Sequence, residues 1–329
     1  MKSLDQKLKT ILAGKYKPRD FIIADAKDPN IAFGVAGTGP LDLAKPDGPY
    51  RTVAKFRTDM ADIVRLKLAD IMLGSVSNIE PMVKAKVFAK SAATPAIRAN
   101  DTSDIWHPRG GNYAKEPSRP FRTANLALVK KFCDLGLYSV TFNNILDADY
   151  ASAEAYCRFR EDALKHGFRH FLEIFNPNAP KNLSPEAMPH FVNDSIIRLL
   201  AGQSSAECPL FLKMPFNGRK ALEELAAHDS SIVVGILGGS AGTTRDTYEL
   251  LAQGERAGAR VALFGRKINL AESPLDLLEL FRPVIEGSMP AGDAVKSYHA
   301  TLAKKKISPK RPLAEDMMIT EAVLEGNRG

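Results

Sequence analysis

The regular alternation of short β-rich runs with longer amphipathic stretches limits the folds open to this chain more than any other feature. Runs rich in Val, Ile, Leu and Phe predict eight strands, near residues 21–25, 70–75, 95–100, 138–144, 169–176, 210–216, 232–239 and 260–266. Helical periodicity predicts helices at 53–68, 78–90, 123–135, 149–166, 185–201, 218–227, 244–257 and 274–286. Eight β-α units predict an α/β fold of the (β/α)8 TIM-barrel type. No G-x-G-x-x-G motif follows the first strand, which disfavours a doubly wound dinucleotide-binding sheet.

The length of 329 residues fits one such barrel with insertions. We expect a single domain, with the barrel at about 20–287 and a C-terminal extension at about 288–329. Two long connections, 26–52 and 101–122, follow the first and third strands and so lie at the end of the barrel where active sites are found. The second contains Trp106, His107, Arg109 and Tyr113 and is interpreted as a lid or a subunit contact.

Charge and composition limit the classes of partner that we expect for this chain. The chain carries 45 Lys and Arg against 38 Asp and Glu, and the segment 294–312 holds six of these basic residues and no acidic one. A local basic segment without interleaved aromatic residues is typical of a solvated or subunit-contacting extension, so we expect no nucleic-acid binding. No apolar run reaches the length of a membrane helix, and the N-terminus lacks a signal-peptide core, so we expect a cytoplasmic location. We also expect a homo-oligomer.

The cysteines and histidines point away from metal chemistry. The three cysteines are scattered and odd in number, and the six histidines have no metal-ligand spacing. We therefore expect no disulfide framework, no metal and no cofactor.

A lysine and a glutamate interrupt two apolar strands. Lys213 lies in PLFLKMPF, where a lysine without a partner or a function is costly. Apolar surroundings favour the neutral amine, which can attack a ketone to form a Schiff base; a structural lysine paired with a carboxylate fits equally well. Glu173 lies in HFLEIFN on the preceding strand, and adjacent parallel strands can bring it near Lys213. That contact serves general acid and base chemistry or a buried ion pair.

An aspartate ends the first strand. Asp25 closes FIIAD on the side of the barrel expected to carry the active site. It is interpreted either as the group that orients the lysine and handles a substrate proton or as a cap of the following turn.

Glycine residues end the seventh and eighth strands, in IVVGILGGSAG and RVALFGRKI. Barrels commonly place a phosphate site at these two strand ends, and the helix that begins near Thr243 would add unpaired N–H groups. Arg266 would add a bidentate anion donor. Plain turns are the alternative. The candidate phosphate ligands are Gly238, Gly239, Ser240, Gly265 and Arg266.

These segments together resemble the class I, Schiff-base aldolases of TIM-barrel fold, namely the tagatose-bisphosphate (LacD-like) and archaeal-type fructose-bisphosphate (DhnA-like) aldolase group. The similarity covers roughly 20–285, and it is most specific in LFLKMPF, in FLEIFN, in IIADAKD and in the segment from ILGGSAG to GRKI. It implies that Lys213 is the nucleophile, Glu173 the proton shuttle and Asp25 an orienting acid. It also implies that the strand-end glycines, Ser240 and Arg266 bind the substrate phosphate.

The chain departs from that group at two places. Thr141, Asn143 and Asn144 stand where the tagatose type is expected to carry a lysine, and FLEIFNPN lacks the tyrosine of the archaeal type. Loss of a cation argues against bisphosphate sugars and leaves a ketone monophosphate, such as dihydroxyacetone phosphate, as the expected substrate half. Arg98, Thr141 and Asn143 are further candidate substrate contacts.

Three alternatives stay open on the sequence. A thiolase, transaldolase-like or aminodeoxy-sugar synthase of the same group would keep the lysine chemistry and change the bond made. A sugar-phosphate-binding protein without catalysis would keep the phosphate site alone. A flavin-binding barrel would use the same glycine-ended strands for the phosphate of FMN.

Overall fold

The computed structural model describes residues 1–238 and 242–325 and contains a (β/α)8 TIM barrel. All pairings between its strands are parallel, in the order β6-β5-β4-β3-β2-β1-β8-β7. The barrel strands are β1 (Ile22–Lys27), β2 (Ile71–Gly74), β3 (Thr94–Arg98), β4 (Leu135–Thr141), β5 (Arg169–Phe175), β6 (Leu212–Lys213), β7 (Gly235–Leu237) and β8 (Val261–Phe264). The predicted fold class is therefore confirmed.

The barrel closes between β6 and β7, its two shortest strands. Met214 bridges Ile236, and the Met214 N–H donates to the Gly235 carbonyl at 3.0 Å. The strand β6 is shorter than the predicted 210–216 because Pro209 and Pro215 flank it and offer no N–H to a ladder. A Cβ at Gly235 would lie 2.5 Å from the Leu212 carbonyl oxygen, so only glycine fits where the two strands meet.

The strands sort their side chains into two cores by alternation. Buried residues such as Ile22, Ala24 and Ala26 of β1 face the barrel interior, where they pack with Leu73 and Phe171. The intervening side chains, such as Ile23, pack outward against the helices. Position parity within a strand therefore decides whether a side chain reaches the interior or the helical layer.

Most predicted helices are present, and two are interrupted. The helices are α1 (Ser3–Leu12), α2 (Pro29–Phe33), α3 (Val53–Arg65), α4 (Val76–Lys84), α5 (Leu126–Val129), α6 (Leu146–Lys165), α7 (Met188–Leu200), α8 (Arg219–His228), α9 (Thr244–Arg256), α10 (Arg266–Asn269), α11 (Pro274–Glu279), α12 (Phe281–Ile285), α13 (Ala291–Lys304), α14 (Leu313–Asp316) and α15 (Ala322–Glu325). The helix predicted at 123–135 is cut to α5, since β4 begins at Leu135. The one predicted at 274–286 divides into α11 and α12 because Pro283 cannot bond to the Glu279 carbonyl.

Helix α1 covers the N-terminal end of the barrel. Its Leu4 and Leu8 are buried in the same cluster as the interior residues of the strands. The opposite, C-terminal end is therefore the one left for a site.

The two long connections meet over that open end. The first contains α2, and the second contains a short antiparallel ribbon, Asn100–Thr102 paired with Pro120–Arg122. The His107 N–H donates to the Ala32 carbonyl at 2.8 Å, and the Arg109 guanidinium lies over the Tyr50 ring. The two loops therefore contact each other, as a lid would.

The C-terminal extension packs on the barrel rather than leaving it. Helix α13 lies against α9 and buries Val295, Tyr298 and Leu302, and α15 buries Leu324. Burial of each such side chain is worth about 1.5–3 kcal/mol. The basic side chains of the segment lie on the outside of this packed layer, where Lys304 and Lys306 are exposed. No helix in the described ranges is long and apolar enough to traverse a bilayer.

Candidate active site

A cavity of about 160 Å³ opens at the C-terminal ends of the strands, beneath the two loops. Its walls come from β1, β3, β5, β6, β7 and β8 and from both long connections. The charged and polar groups among its lining residues are Asp28, Arg98, His107, Glu173, Lys213, Arg266 and Lys267. The cavity thus gathers groups from most of the barrel into one place.

Lys213 and Glu173 form an ion pair inside the barrel. They are register partners on β6 and β5, and the Lys213 ammonium contacts Glu173 Oε1. Both side chains are almost entirely buried. The predicted proximity of the two residues is therefore observed. Each side chain lies at a position of its strand that faces the barrel interior.

The other oxygen of Glu173 is held by two donors. Ser139 Oγ donates to Glu173 Oε2 at 2.6 Å, and Arg98 Nη2 donates to the same oxygen at 3.1 Å. Arg98 Nη1 also donates to Ser139 Oγ at 2.7 Å. Glu173 is therefore fixed on three sides and stabilised as the carboxylate.

Arg98 links this pair to the first connection. Its Nε donates to Asp28 Oδ2 at 2.5 Å. Burial raises the pKa of the Asp28 carboxyl, but the nearby Arg98 and Lys213 charges outweigh that effect and hold the pKa below its usual value. Burial opposes the charge of Arg98 in turn, yet Asp28 and Glu173 together raise its pKa. Two cations and two anions thus balance within this network.

Asp25 lies elsewhere, and this corrects the expectation that it orients the lysine. It shares the outward parity of Ile23, and its carboxylate pairs with Lys27 at 2.8 Å, outside the barrel interior. Burial raises the pKa of Asp25 despite the attraction of Lys27. The carboxylate from this part of the chain that lines the cavity is Asp28.

Asp28, His107 and Lys267 are the charged or polar cavity residues that the sequence reasoning missed as site residues. Asp28 could have been found from alternation, since Ala24, Ala26 and Asp28 share one parity and the two small residues suit a narrow interior. The approach of His107 to the cavity depends on the path of a long loop, and no local pattern gives that path.

The strand-end glycines line the other end of the cavity. A Cβ at Gly238 would lie 2.7 Å from the Phe264 ring, and one at Gly265 would lie 2.9 Å from the Ala26 carbonyl oxygen. Both positions therefore require glycine. Arg266 lines the same end, whereas Gly239 and Ser240 lie outside the described residues.

Lys267, which the sequence reasoning did not single out, adds a second cation there. Its Nζ donates to the Gly242 carbonyl at 2.6 Å. Burial lowers the pKa of Lys267 to about 8, assisted by Arg311 and opposed by Asp316. The ammonium form therefore predominates at neutral pH, beside the two glycines.

The N-terminus of α9 is occupied by the chain itself, which corrects the expectation that its N–H groups are unpaired. The Thr243 N–H donates to Asp246 Oδ2 at 2.8 Å, and the Thr244 N–H donates to Asp316 Oδ1 at 2.7 Å. The Asp246 N–H donates to Thr243 Oγ1 at 3.0 Å. These three groups are not available to a bound phosphate.

Of the three candidate substrate contacts, Arg98 lines the cavity and the other two hold loops. Thr141 Oγ1 donates to Asp104 Oδ2 at 2.9 Å, which ties the second long loop to β4. Asn143 Nδ2 donates to Asn178 Oδ1 at 3.0 Å, and its own Oδ1 accepts from the Ala179 N–H. Within the described ranges, no three His, Cys, Asp or Glu side chains are grouped as metal ligands.

Comparison with known proteins supports the fold. No family model matches the chain, and no curated protein sequence matches it. Similar solved structures include an archaeal fructose 1,6-bisphosphate aldolase, with a TM-score of 0.61 and 15% identity over 86% of this chain and 99% of that one. A Schiff-base-forming fructose-1,6-bisphosphate aldolase, studied through its reaction intermediates, gives the same values. A protein of Corynebacterium glutamicum gives a TM-score of 0.58 and 16% identity over 87% and 94% of the two chains.

Proposed function

We propose that this protein is a class I aldolase that makes or cleaves a carbon-carbon bond in a phosphorylated ketose through a Schiff base on Lys213. The observation that carries the proposal is the buried contact between Lys213 and Glu173 in a cavity whose other end is formed by Gly238, Gly265 and two cations. The similarity of the barrel to a Schiff-base-forming aldolase is consistent with it.

Glu173 would shuttle protons during Schiff-base formation. The ammonium of Lys213 gives one proton to Glu173, and the resulting amine attacks the substrate carbonyl. Glu173 then returns the proton to the carbinolamine hydroxyl, which leaves as water. The contact between the two side chains places donor and acceptor together throughout.

The charge balance of the cavity suits the intermediate. Lys213 and Arg98 offset Glu173 and Asp28 in the resting protein. An iminium at Lys213 carries the same charge as the ammonium that it replaces, so the net charge of the buried site does not change. A change of net charge in such a site would be costly.

The phosphate of the substrate would bind at the glycine end. Gly238 and Gly265 allow close approach to the backbone, and Arg266 and Lys267 supply positive charge. A volume of about 160 Å³ is smaller than the roughly 300–1,000 Å³ of sites for drug-sized ligands, which favours a small substrate over FMN. A ketone monophosphate such as dihydroxyacetone phosphate fits these features.

Borohydride trapping tests the proposal. The protein is incubated with dihydroxyacetone phosphate and sodium borohydride, and the adduct is located by peptide mass spectrometry. We expect a reduced adduct on Lys213, and none in Lys213→Arg, which keeps the charge beside Glu173 but is a far poorer nucleophile. Absence of an adduct in the wild type with any ketose phosphate would reject the mechanism.

Two further measurements separate the other functions. Stabilisation of the wild type by sugar phosphates without trapping or turnover would indicate a binding protein without catalysis. Trapping followed by products other than aldol products, after addition of acyl donors, would indicate a synthase.

A further inference from the structure

His107 lines the cavity on the side of the loops, here called the mouth, where its side chain is exposed to solvent. It belongs to the second long loop and lines the same cavity as Lys213. Its ring stacks on Phe33 of the first long loop, with the ring centroids 5.4 Å apart and an angle of 19° between the planes. The backbone N–H of His107 donates to the Ala32 carbonyl at 2.8 Å. Both loops therefore fix the position of this imidazole.

The loop that carries His107 is held on its other side as well. Asp104 accepts hydrogen bonds from Ser118 Oγ at 2.8 Å and from Thr141 Oγ1 at 2.9 Å. Trp106 Nε1 donates to Asp101 Oδ2 at 3.2 Å. The segment before His107 is thus tied to β4 and to the ribbon, although the imidazole itself is exposed to solvent.

Cleavage of an aldol needs a base besides Glu173, which is in contact with Lys213. Glu173 accepts from Lys213, Ser139 and Arg98, and Asp28 accepts from Arg98. Glu173 is thus engaged with the lysine that it serves. The pKa of Asp28 is lowered, because the nearby Arg98 and Lys213 charges outweigh the effect of burial, and this weakens Asp28 as a base. A general base works best when it is matched to neutral pH, and imidazole is the side chain that ordinarily titrates there. Among the described residues that line the cavity, His107 alone carries one.

We propose that His107 is the catalytic base that removes the proton of the substrate hydroxyl during carbon-carbon cleavage. This inference rests on the proposed function. The imidazole takes the O–H proton, the oxygen forms the aldehyde C=O, and the electron pair of the broken C–C bond moves into the iminium to give an enamine. The enamine carbon then takes one proton back, so no net proton is gained or lost.

The role assigns the two halves of the substrate to the two ends of the cavity. The phosphorylated ketone half lies between Lys213 and the glycine end, and the aldehyde half lies toward the loops. The charged groups that share the cavity with the imidazole are Asp28, Arg98, Glu173, Lys213, Arg266 and Lys267.

The test compares two steps in one variant. Formation of the Schiff base with dihydroxyacetone phosphate does not use the base at the mouth, whereas condensation with an added aldehyde does. We expect His107→Asn to give the borohydride adduct on Lys213 at the wild-type yield and to lower kcat for condensation with glyceraldehyde or glyceraldehyde 3-phosphate by about 10²-fold or more. His228→Asn, which removes an exposed imidazole that lines no part of the cavity, should change neither step.

Chemical rescue gives a second readout, since the mouth is open to solvent. Added imidazole should restore part of the condensation rate to His107→Ala and leave the wild type unaffected. Condensation by His107→Asn at the wild-type rate, or failure of imidazole to restore any rate, would overturn the role of His107. A wild type that forms no adduct would instead reject the aldolase proposal itself.

Discussion

Two buried lysine-carboxylate pairs in this barrel differ in where they lie. Lys213 pairs with Glu173 across two strands, inside the barrel, and lines the cavity. Lys27 pairs with Asp25 within one strand, on the outward face, and lines a separate space near Arg51. Both lysines are almost fully buried. Burial therefore does not distinguish the two lysines; the parity of their positions on the strands does.

The surroundings of the two pairs differ as well. Glu173 has donors on both oxygens, and its network extends to Arg98 and Asp28. Among the residues that the structure describes, Asp25 has one partner, Lys27, and its Oδ2 makes no hydrogen bond. In the proposed mechanism the first pair keeps a charge in place through proton transfers, whereas the second pair only offsets the cost of its own burial.

The largest contrast should appear when each lysine is replaced by methionine. We expect Lys213→Met to lose the borohydride adduct and to lower turnover by about 10⁴-fold or more, because the nucleophile is gone. Lys27→Met should keep the adduct on Lys213 in the fraction that is folded. Mass spectrometry of the trapped protein and a condensation assay check both outcomes. An adduct on Lys27 in the wild type would break the distinction between the two pairs.

Replacement of the two carboxylates should change the rate of Schiff-base formation by factors that differ less. Glu173→Gln should lower the rate of Schiff-base formation by about 10²-fold to 10³-fold, because the amide cannot accept the proton of Lys213. Asp25→Asn should leave that rate unchanged. Quenched-flow trapping with dihydroxyacetone phosphate measures the rate directly. Equal losses in both variants would mean that the rate reports only general damage to the barrel.

In a measurement of the free energy of unfolding, the pair on the outward face should show the larger effect. Lys27→Met should destabilise the fold by about 3 kcal/mol, since it leaves Asp25 buried without its partner. Burial raises the pKa of Asp25, so the folded variant binds a proton more tightly than the unfolded chain does. Its stability should therefore fall as the pH rises above the unfolded pKa of about 4.

Urea unfolding at pH 5 and pH 8 measures this effect, which should be larger at pH 8. Addition of Asp25→Leu to Lys27→Met removes the unpaired carboxylate and should restore part of the loss. A loss that is independent of pH and is not relieved in the double variant would contradict the account of the outer pair.

The smallest effect concerns Asp28, whose pKa shifts in the opposite direction from that of Asp25. The folded-state pKa of Asp28 is lowered, so its contribution to stability is present above the unfolded pKa and is lost as the pH falls through the folded value. Asp28→Asn should therefore flatten the loss of stability below about pH 4. Urea unfolding between pH 2 and pH 6 checks the slope, and an unchanged slope would contradict the assignment.

The sequence was sufficient for the fold and for the central pair. Eight strand-helix units predict the barrel, and the adjacency of two strands predicts that Glu173 lies near Lys213. Both inferences rest on local periodicity and on the rule that consecutive strands are neighbours. Neither of them requires knowledge of contacts between residues far apart in the sequence.

The sequence predictions that are wrong concern the strand parity of a side chain and contacts between residues far apart in the sequence. The end of the apolar run predicts Asp25 in the site, yet Asp25 shares the outward parity of Ile23 and pairs there with Lys27. The N-terminus of α9 was expected to be open, but Asp316 reaches it from 72 residues away in the sequence. Pro283 could have predicted the division of α11 from α12, since proline interrupts helical bonding locally.

Gly235 shows that a residue can belong to a site without giving it an atom. Its missing side chain lets the Leu212 carbonyl come close, and the residue after Leu212 is Lys213. An alanine there would push on the peptide that joins Leu212 to Lys213. Under the proposed function, a substitution scan scored on turnover should therefore rank Gly235 beside the ionisable residues of the cavity.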